Sequence, residues 1–182
     1  MEMTKMECAL LEIPDFNVST YREKTLEAVK LGFFERRELD PVAELVVQVD
    51  PRTGVREGKH FSLVVSPNSF ADDNDKEMFA RMLRVMARTY DAVAYMFISE
   101  AYMVERQKGD VLDAQPSECE DRVEVLQVIF EFEDGMEMHN AKILRQGDHV
   151  VLDEWVSYKT ELGWSGFGGR FTNVLPSREY LQ

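Results

Sequence analysis

The chain has 182 residues, 45% hydrophobic and 30% charged, which suits a packed domain better than a disordered segment. Its formal net charge of −13 repels polyanions, and no long basic run interrupts it, so extended nucleic acid is disfavoured as a partner. The apolar runs are only strand-sized and Met1 leads into acidic residues rather than a signal core, so the expectation is a cytoplasmic protein without a membrane span.

Cys8 and Cys119 are the two cysteines, too few and too far apart for a disulfide scaffold or a thiolate zinc site. They are expected as unpaired thiols, and neither a cofactor nor a metal centre is expected.

From the start, ECALLEI reads as a short strand broken by Pro14. STYREKTLEAVKLGFF follows as a helix, with Thr20 and Glu23 at capping-box spacing and Tyr21, Leu26, Val29 and Phe33 on one apolar side. VAELVVQVD, 42–50, is a strand candidate, PRTG a turn, REGK a flexible connector and HFSLVVS, 60–66, the neighbouring strand. DPRTGVREGK lacks the glycine pattern of a phosphate-binding loop.

SPNSFADDND is rich in caps and turns and introduces a helix over 75–91, with Phe79, Met82, Leu83, Met86 and Tyr90 facing inward. Asp72, Asp73 and Asp75 complement its N-terminus and lack the spacing of a calcium loop. Arg81, Arg84 and Arg88 form a basic stripe, a solvated face or a candidate site for a small anion or an acidic protein.

AVAYMFISEAYMV, 92–104, supplies a bent strand or two short ones, in which Glu100 shares a face with Ile98 and Tyr102 and is expected at an edge or surface. From Glu105 to Glu137 there are 11 acidic and 3 basic side chains, a local charge of −8 that suits an exposed loop, with a lid over 105–122 as the functional alternative.

The strongest pattern is RVEVLQVIFEFEDGMEMHNAKILRQGDHVVLDEWVSY, 122–158. Turns at Asp134–Gly135 and Gly147–Asp148 make it a three-stranded antiparallel meander. Two-residue turns without a bulge place Phe130 opposite His139, Leu126 opposite Ile143, Ile143 opposite Leu152, His139 opposite Val156 and Glu124 opposite Arg145. The other face gathers Glu131 with Met138, Lys142 with Gln127 and Asp153, and Asn140 with Ile129 and Trp155. Glu100, Gln127, Glu131, Asn140, Lys142, Asp153 and Trp155 are therefore the candidate contacts for a small polar ligand, and one bulge would redistribute them.

His60, His139 and His149 form no local metal motif; His139 is the most embedded and reads as a satisfied half-core residue. The ending TELGWSGFGGRFTNVLPSREYLQ lacks a phosphate-loop pattern, and its Trp164, Phe167 and Phe171 suit packing or assembly.

The expected architecture is α+β: one domain over 1–182, two principal helices on a largely antiparallel sheet with a C-terminal three-stranded meander, and 163–182 a peripheral or assembly tail. The expected function is a noncatalytic interaction or assembly module, a homo-oligomer. The alternative is a small-molecule hydrolase or transferase with a helix–sheet pocket, using Glu100, Glu131, His139 and Asp153 as acid/base groups and Lys142 and Arg106 for anion stabilisation.

Overall fold

The computed structural model describes residues 6–67, 69–104, 116–147, 149–161 and 170–176. In chain order these form β1 (Met6–Ile13), α1 (Val18–Arg36), β2 (Val42–Val49), β3 (Arg56–Pro67), α2 (Asp73–Thr89), β4 (Ala92–Met103), a 3-10 turn (Pro116–Glu118), β5 (Val123–Phe132), β6 (Gly135–Gln146), β7 (His149–Leu152) and β8 (Val156–Glu161). The strands make an antiparallel sheet in the order β1-β3-β2-β4-β5-β6-β7, with β8 also on β6. The class is α+β, and the late meander is present as β5 to β8. No described helix is long and apolar enough to cross a membrane.

Strand alternation separates two apolar faces. Ala43, Leu45 and Val47 of β2 and Phe61, Leu63 and Val65 of β3 meet Phe79, Leu83 and Ala87 of α2. On the other face, Val46, Met96, Ile98, Leu126, Val128 and Phe130 meet Val29 and Phe33 of α1. The helices thus cover opposite faces, and β5 gives Leu126, Val128, Phe130 and Phe132 to the α1 face and Ile129 to the α2 face. A fully buried Phe33 or Leu83 contributes roughly 1.5–3 kcal/mol from area alone.

Caps explain the helix starts. Asn17, not Thr20, caps α1: Asn17 is extended and its side chain accepts the Thr20 amide at 3.1 Å. Asp72 caps α2 by accepting the Asp75 amide at 2.9 Å, and the helix dipole favours the negative charge of Asp73 and Asp75 in the first turn. REGK is not a loose connector but the start of β3; Arg56 pairs opposite Val49, and Gly58, at φ 75°, supplies a backbone bend.

Three irregularities set the later geometry. In the β2–β4 ladder the register slips beside Val93, which turns that side chain towards the α1 face. The β5–β6 turn is centred on Glu133–Asp134, with Phe132 opposite Gly135. A type I′ turn over Asp134–Gly135 needs positive φ at both residues; Asp134 does not have it, and Gly135 takes φ 155° as the first residue of β6. Every expected β5–β6 partner therefore moves by two: Val128, not Phe130, faces His139, and Leu126 faces Ala141. Ile143 does oppose Leu152, but an extra residue lies between β7 and β8, so Ser157 rather than Val156 faces His139.

Residues 170–176 lie on the α2 side of the sheet. Phe171 stacks on Phe97 with ring centroids 4.1 Å apart and packs beside Phe70 and Phe79. This portion of the tail is part of the packed body. Trp164 and Phe167, the Glu105–Arg106 boundary, residues 105–115 of the lid, and Asp148 of the second turn lie outside the described residues.

Candidate functional site

The proposed polar surface divides between the two faces of the sheet. Gln127, Glu131, Asn140 and Lys142 share the α2 face. Gln127 Nε2 donates to Asn140 Oδ1 at 3.2 Å, so this cross-strand pair is formed. Asn140 Nδ2 and Gln127 Nε2 also approach the sulfurs of Met103 and Met138, at 3.7 and 3.5 Å. Lys142 stands opposite Val125, and its carbonyl accepts the amide of exposed Asp153. Trp155 is displaced by the β7–β8 irregularity and packs on the α1 face.

Glu131 is buried and does not face an open ligand site. Its Oε2 accepts the Val174 and Leu175 amides at 2.8 and 3.0 Å, while Oε1 and the hydroxyl of neighbouring Tyr95 have no hydrogen bond among the described residues. Burial pushes its carboxyl up, against the lowering effect of the tail amides and Arg84.

Glu100 lies on the α1 face, away from Gln127 and Asn140. It is neither at a sheet edge nor fully exposed: β4 is central, but the β2–β4 ladder ends at Ile98. Beyond that point Glu100 accepts the Leu39 amide at 2.8 Å and Arg145 Nη2 at 2.9 Å. Arg145 also binds both oxygens of Glu124 and the Arg37 carbonyl, so Glu124 and Arg145 are ion-paired within a wider latch although the shifted register no longer sets them directly opposite each other. Burial pushes Glu100 up, with Leu39 and Arg145 opposing that shift.

The arginine stripe also divides. Arg81 pairs with Glu77 one helical turn away, and Arg88 is exposed. Arg84 instead donates to the carbonyls of Arg170, Thr172 and Asn173, at 2.7, 3.2 and 3.4 Å. Its charge is spent on the tail segment rather than displayed to an anion.

A cleft of about 900 Å³ lies on the α1 side, lined by Phe16, Val18, Gln48, Arg56, His60, Asp91, Val93, Phe132, Glu133 and Asp134. Phe16, Val93 and Phe132 provide apolar surface, the last two because of the β4 irregularity and the β5 alternation. Phe16 lies 5.3 Å from the His60 ring, and Gln48 Nε2 lies 3.4 Å from His60 Nε2. Arg56 is ion-paired with Asp91, which occupies a left-handed turn at φ 53°. None of the seven residues proposed for small-ligand contact lines this cleft. Its walls come from separate elements, so no local motif marks it in the sequence.

A second constellation sits on the same face between β6, β8 and α1. His139 is buried, its ring edge-on to Phe130. Its Nδ1 is 2.7 Å from Ser157 Oγ and its Nε2 is 3.2 Å from Glu137 Oε2. Glu137 Oε1 receives Arg22 at 2.6 Å and Lys159 at 2.8 Å. Burial pushes the imidazole down towards its neutral form, against Glu137 and with Arg22 and Lys159. Burial pushes Glu137 up, but Lys159, Arg22 and His139 together hold it below the ordinary glutamate value. Glu137 and His139 two apart on β6, with Ser157 and Lys159 two apart on β8, carry a period-two signal. The inserted residue before β8 hides their alignment.

Among the described residues, no three His, Cys, Asp or Glu side chains converge as a metal-holding group. No protein-family model, curated protein or solved structure matches the chain.

Proposed function

We propose that this chain is an interaction module whose α1-side cleft holds, without reacting with it, a small organic cation with an apolar body. The supporting observation is the cleft itself: an apolar floor from Phe16, Val93 and Phe132 meets a rim containing Asp134, while the Arg56 charge is matched by Asp91. A volume of about 900 Å³ accommodates a small molecule. The net charge of −13 favours cations over anions at long range, and carries the expectation against nucleic-acid partners into this proposal. A cytoplasmic setting remains part of it.

The probe pair is phenethylamine and phenylacetate, equal in ring and opposite in charge, followed by calorimetry and by amide NMR shifts at Phe16, His60 and Asp134. The amine is expected to bind and move those signals, and Asp134→Lys to weaken it several-fold, an effect reduced by salt. Equal binding of both probes, or none of the amine, rejects the cleft as a cation site.

A second proposal is self-assembly, favoured by the sheet edge. Among the described residues β1 pairs with β3 alone, and Leu11 on it is 63% exposed. An open strand edge presents unpaired amides and carbonyls that a second copy can satisfy. Light scattering over a dilution series tests it, a constant monomer mass being the contrary result.

A further inference from the structure

We propose that Ser157 is a nucleophile for acyl or phosphoryl groups, with His139 as its base and Glu137 as the group that positions that base. It uses a different set of residues from the cleft, so failure of amine binding leaves it standing.

The hydrogen bonds determine the tautomer. An ionised carboxylate can only accept, so at the 3.2 Å contact His139 Nε2 carries the proton and donates to Glu137. Nδ1 then holds a lone pair, and the Ser157 hydroxyl donates into it at 2.7 Å. A hydroxyl hydrogen-bonded to a neutral imidazole, itself oriented by a carboxylate, is the arrangement that activates a serine. Ser157 is exposed whereas His139 is buried, so the reacting oxygen is accessible and the base is held.

The surroundings supply charge of the needed sign. Glu137 carries one negative charge, and Arg22 and Lys159 both contact it, leaving a local excess of one positive charge in an otherwise acidic protein. That excess favours an oxyanion forming above Ser157. Trp155 lies on the same face two residues before Ser157, with Lys159 two residues after it; together they provide an aromatic surface and a cation on either side of the hydroxyl. An ester with an apolar acyl group fits that line.

In the reaction, Ser157 Oγ bonds to the ester carbonyl carbon as its proton moves to His139 Nδ1. The tetrahedral adduct collapses, the bond to the alcohol oxygen breaks, and that oxygen leaves with the proton from Nδ1. Water then attacks the acyl-serine with His139 again taking the proton, releasing the carboxylic acid and restoring the hydroxyl. With a fluorophosphonate, Oγ bonds to phosphorus, fluoride leaves as HF, and the adduct remains.

The test is incubation of the full chain with a fluorophosphonate, followed by intact mass and peptide mapping. Labelling is expected at Ser157 in preference to exposed Ser19 and Ser117. It should disappear in Ser157→Ala and slow by about 100-fold in His139→Gln, the lower bound of a general-base contribution. Glu137→Gln preserves size, and circular dichroism checks that the variant is folded; its amide can donate to Nε2 and move the ring proton to Nδ1, so labelling of the folded variant is expected to slow. The wild-type rate should rise with pH and level off above an inflection below 6.5, the ordinary histidine value, since His139 is the responding group facing Glu137, Arg22 and Lys159. No selectivity for Ser157 overturns the nucleophile. Selective labelling that is indifferent to both His139→Gln and Glu137→Gln overturns the base and its positioning.

Discussion

At the scale of single residues, burial divides the carboxylates by role. Exposed Asp73 is held well below the ordinary range by Arg170 and Lys76, and it anchors the tail to α2. Glu131 behaves in the opposite way: burial raises its folded value above the unfolded one. Its contribution is present below the ordinary value of 4.5 and is lost as pH rises through the raised folded value, because the buried carboxyl must then ionise. Glu131→Gln removes that ionisation while its amide oxygen still accepts Val174 and Leu175. Its NH₂ group also takes the place of the unpartnered Oε1 beside the Tyr95 hydroxyl. We expect the variant to be more stable than wild type at pH 7 by on the order of 1 kcal/mol, and the difference to vanish towards pH 4. Urea denaturation at both pH values measures it; a variant less stable at pH 7 means the ionised carboxylate is the stabilising form.

At the scale of elements, Arg84 turns a helix surface into a clamp for the tail. Its guanidinium holds carbonyls from 170 to 173 while Glu131 holds amides at 174 and 175, so both polarities of the segment's backbone are satisfied. Arg84→Ala should cost about 1–2 kcal/mol and speed amide exchange at Val174 and Leu175 at least tenfold. Arg81→Ala removes only an exposed pair on one helix turn and should cost less than about 0.5 kcal/mol. Equal effects of the two would show that Arg84 does not hold the segment. The positions of Arg81 and Arg84 on α2 were legible from their spacing; their different partners were not, because one partner lies 86 to 89 residues away. The same distinction runs through the meander. Alternation identified β5 and β6 and put Gln127 with Asn140 on one face, since a partner shift of two residues preserves facing. The single residue inserted before β8 reversed the facing of Trp155 and brought Ser157 to His139, and no local turn chemistry announces it. The cleft was illegible for a further reason: its walls meet only after long-range pairing of β2, β3, β4 and β5.

At the scale of the whole molecule, the open edge of β1 and the net charge oppose each other. Ladder hydrogen bonds and the exposed Leu11 favour pairing of β1 with β1 of a second copy, but each copy brings a formal charge of −13. Backbone pairing acts at contact distance and is nearly independent of salt, whereas repulsion between the copies extends over the Debye length, about 30 Å at 0.01 M and 8 Å at 0.15 M. Salt should therefore strengthen association, in contrast to the weakening it brings to a complex held by opposite charges. At fixed protein concentration, the light-scattering mass should rise from 21.1 kDa towards twice that value as salt increases over this range. Leu11→Lys adds a positive charge to each copy and lessens the monopole repulsion, yet it places a charged group on the paired strand and removes apolar contact. If edge pairing holds the dimer, this substitution should weaken association at 0.15 M salt despite the lower net charge. Stronger association of the variant would instead show that net charge alone controls the contact, and a monomer mass at every salt and protein concentration would remove self-pairing through β1 altogether.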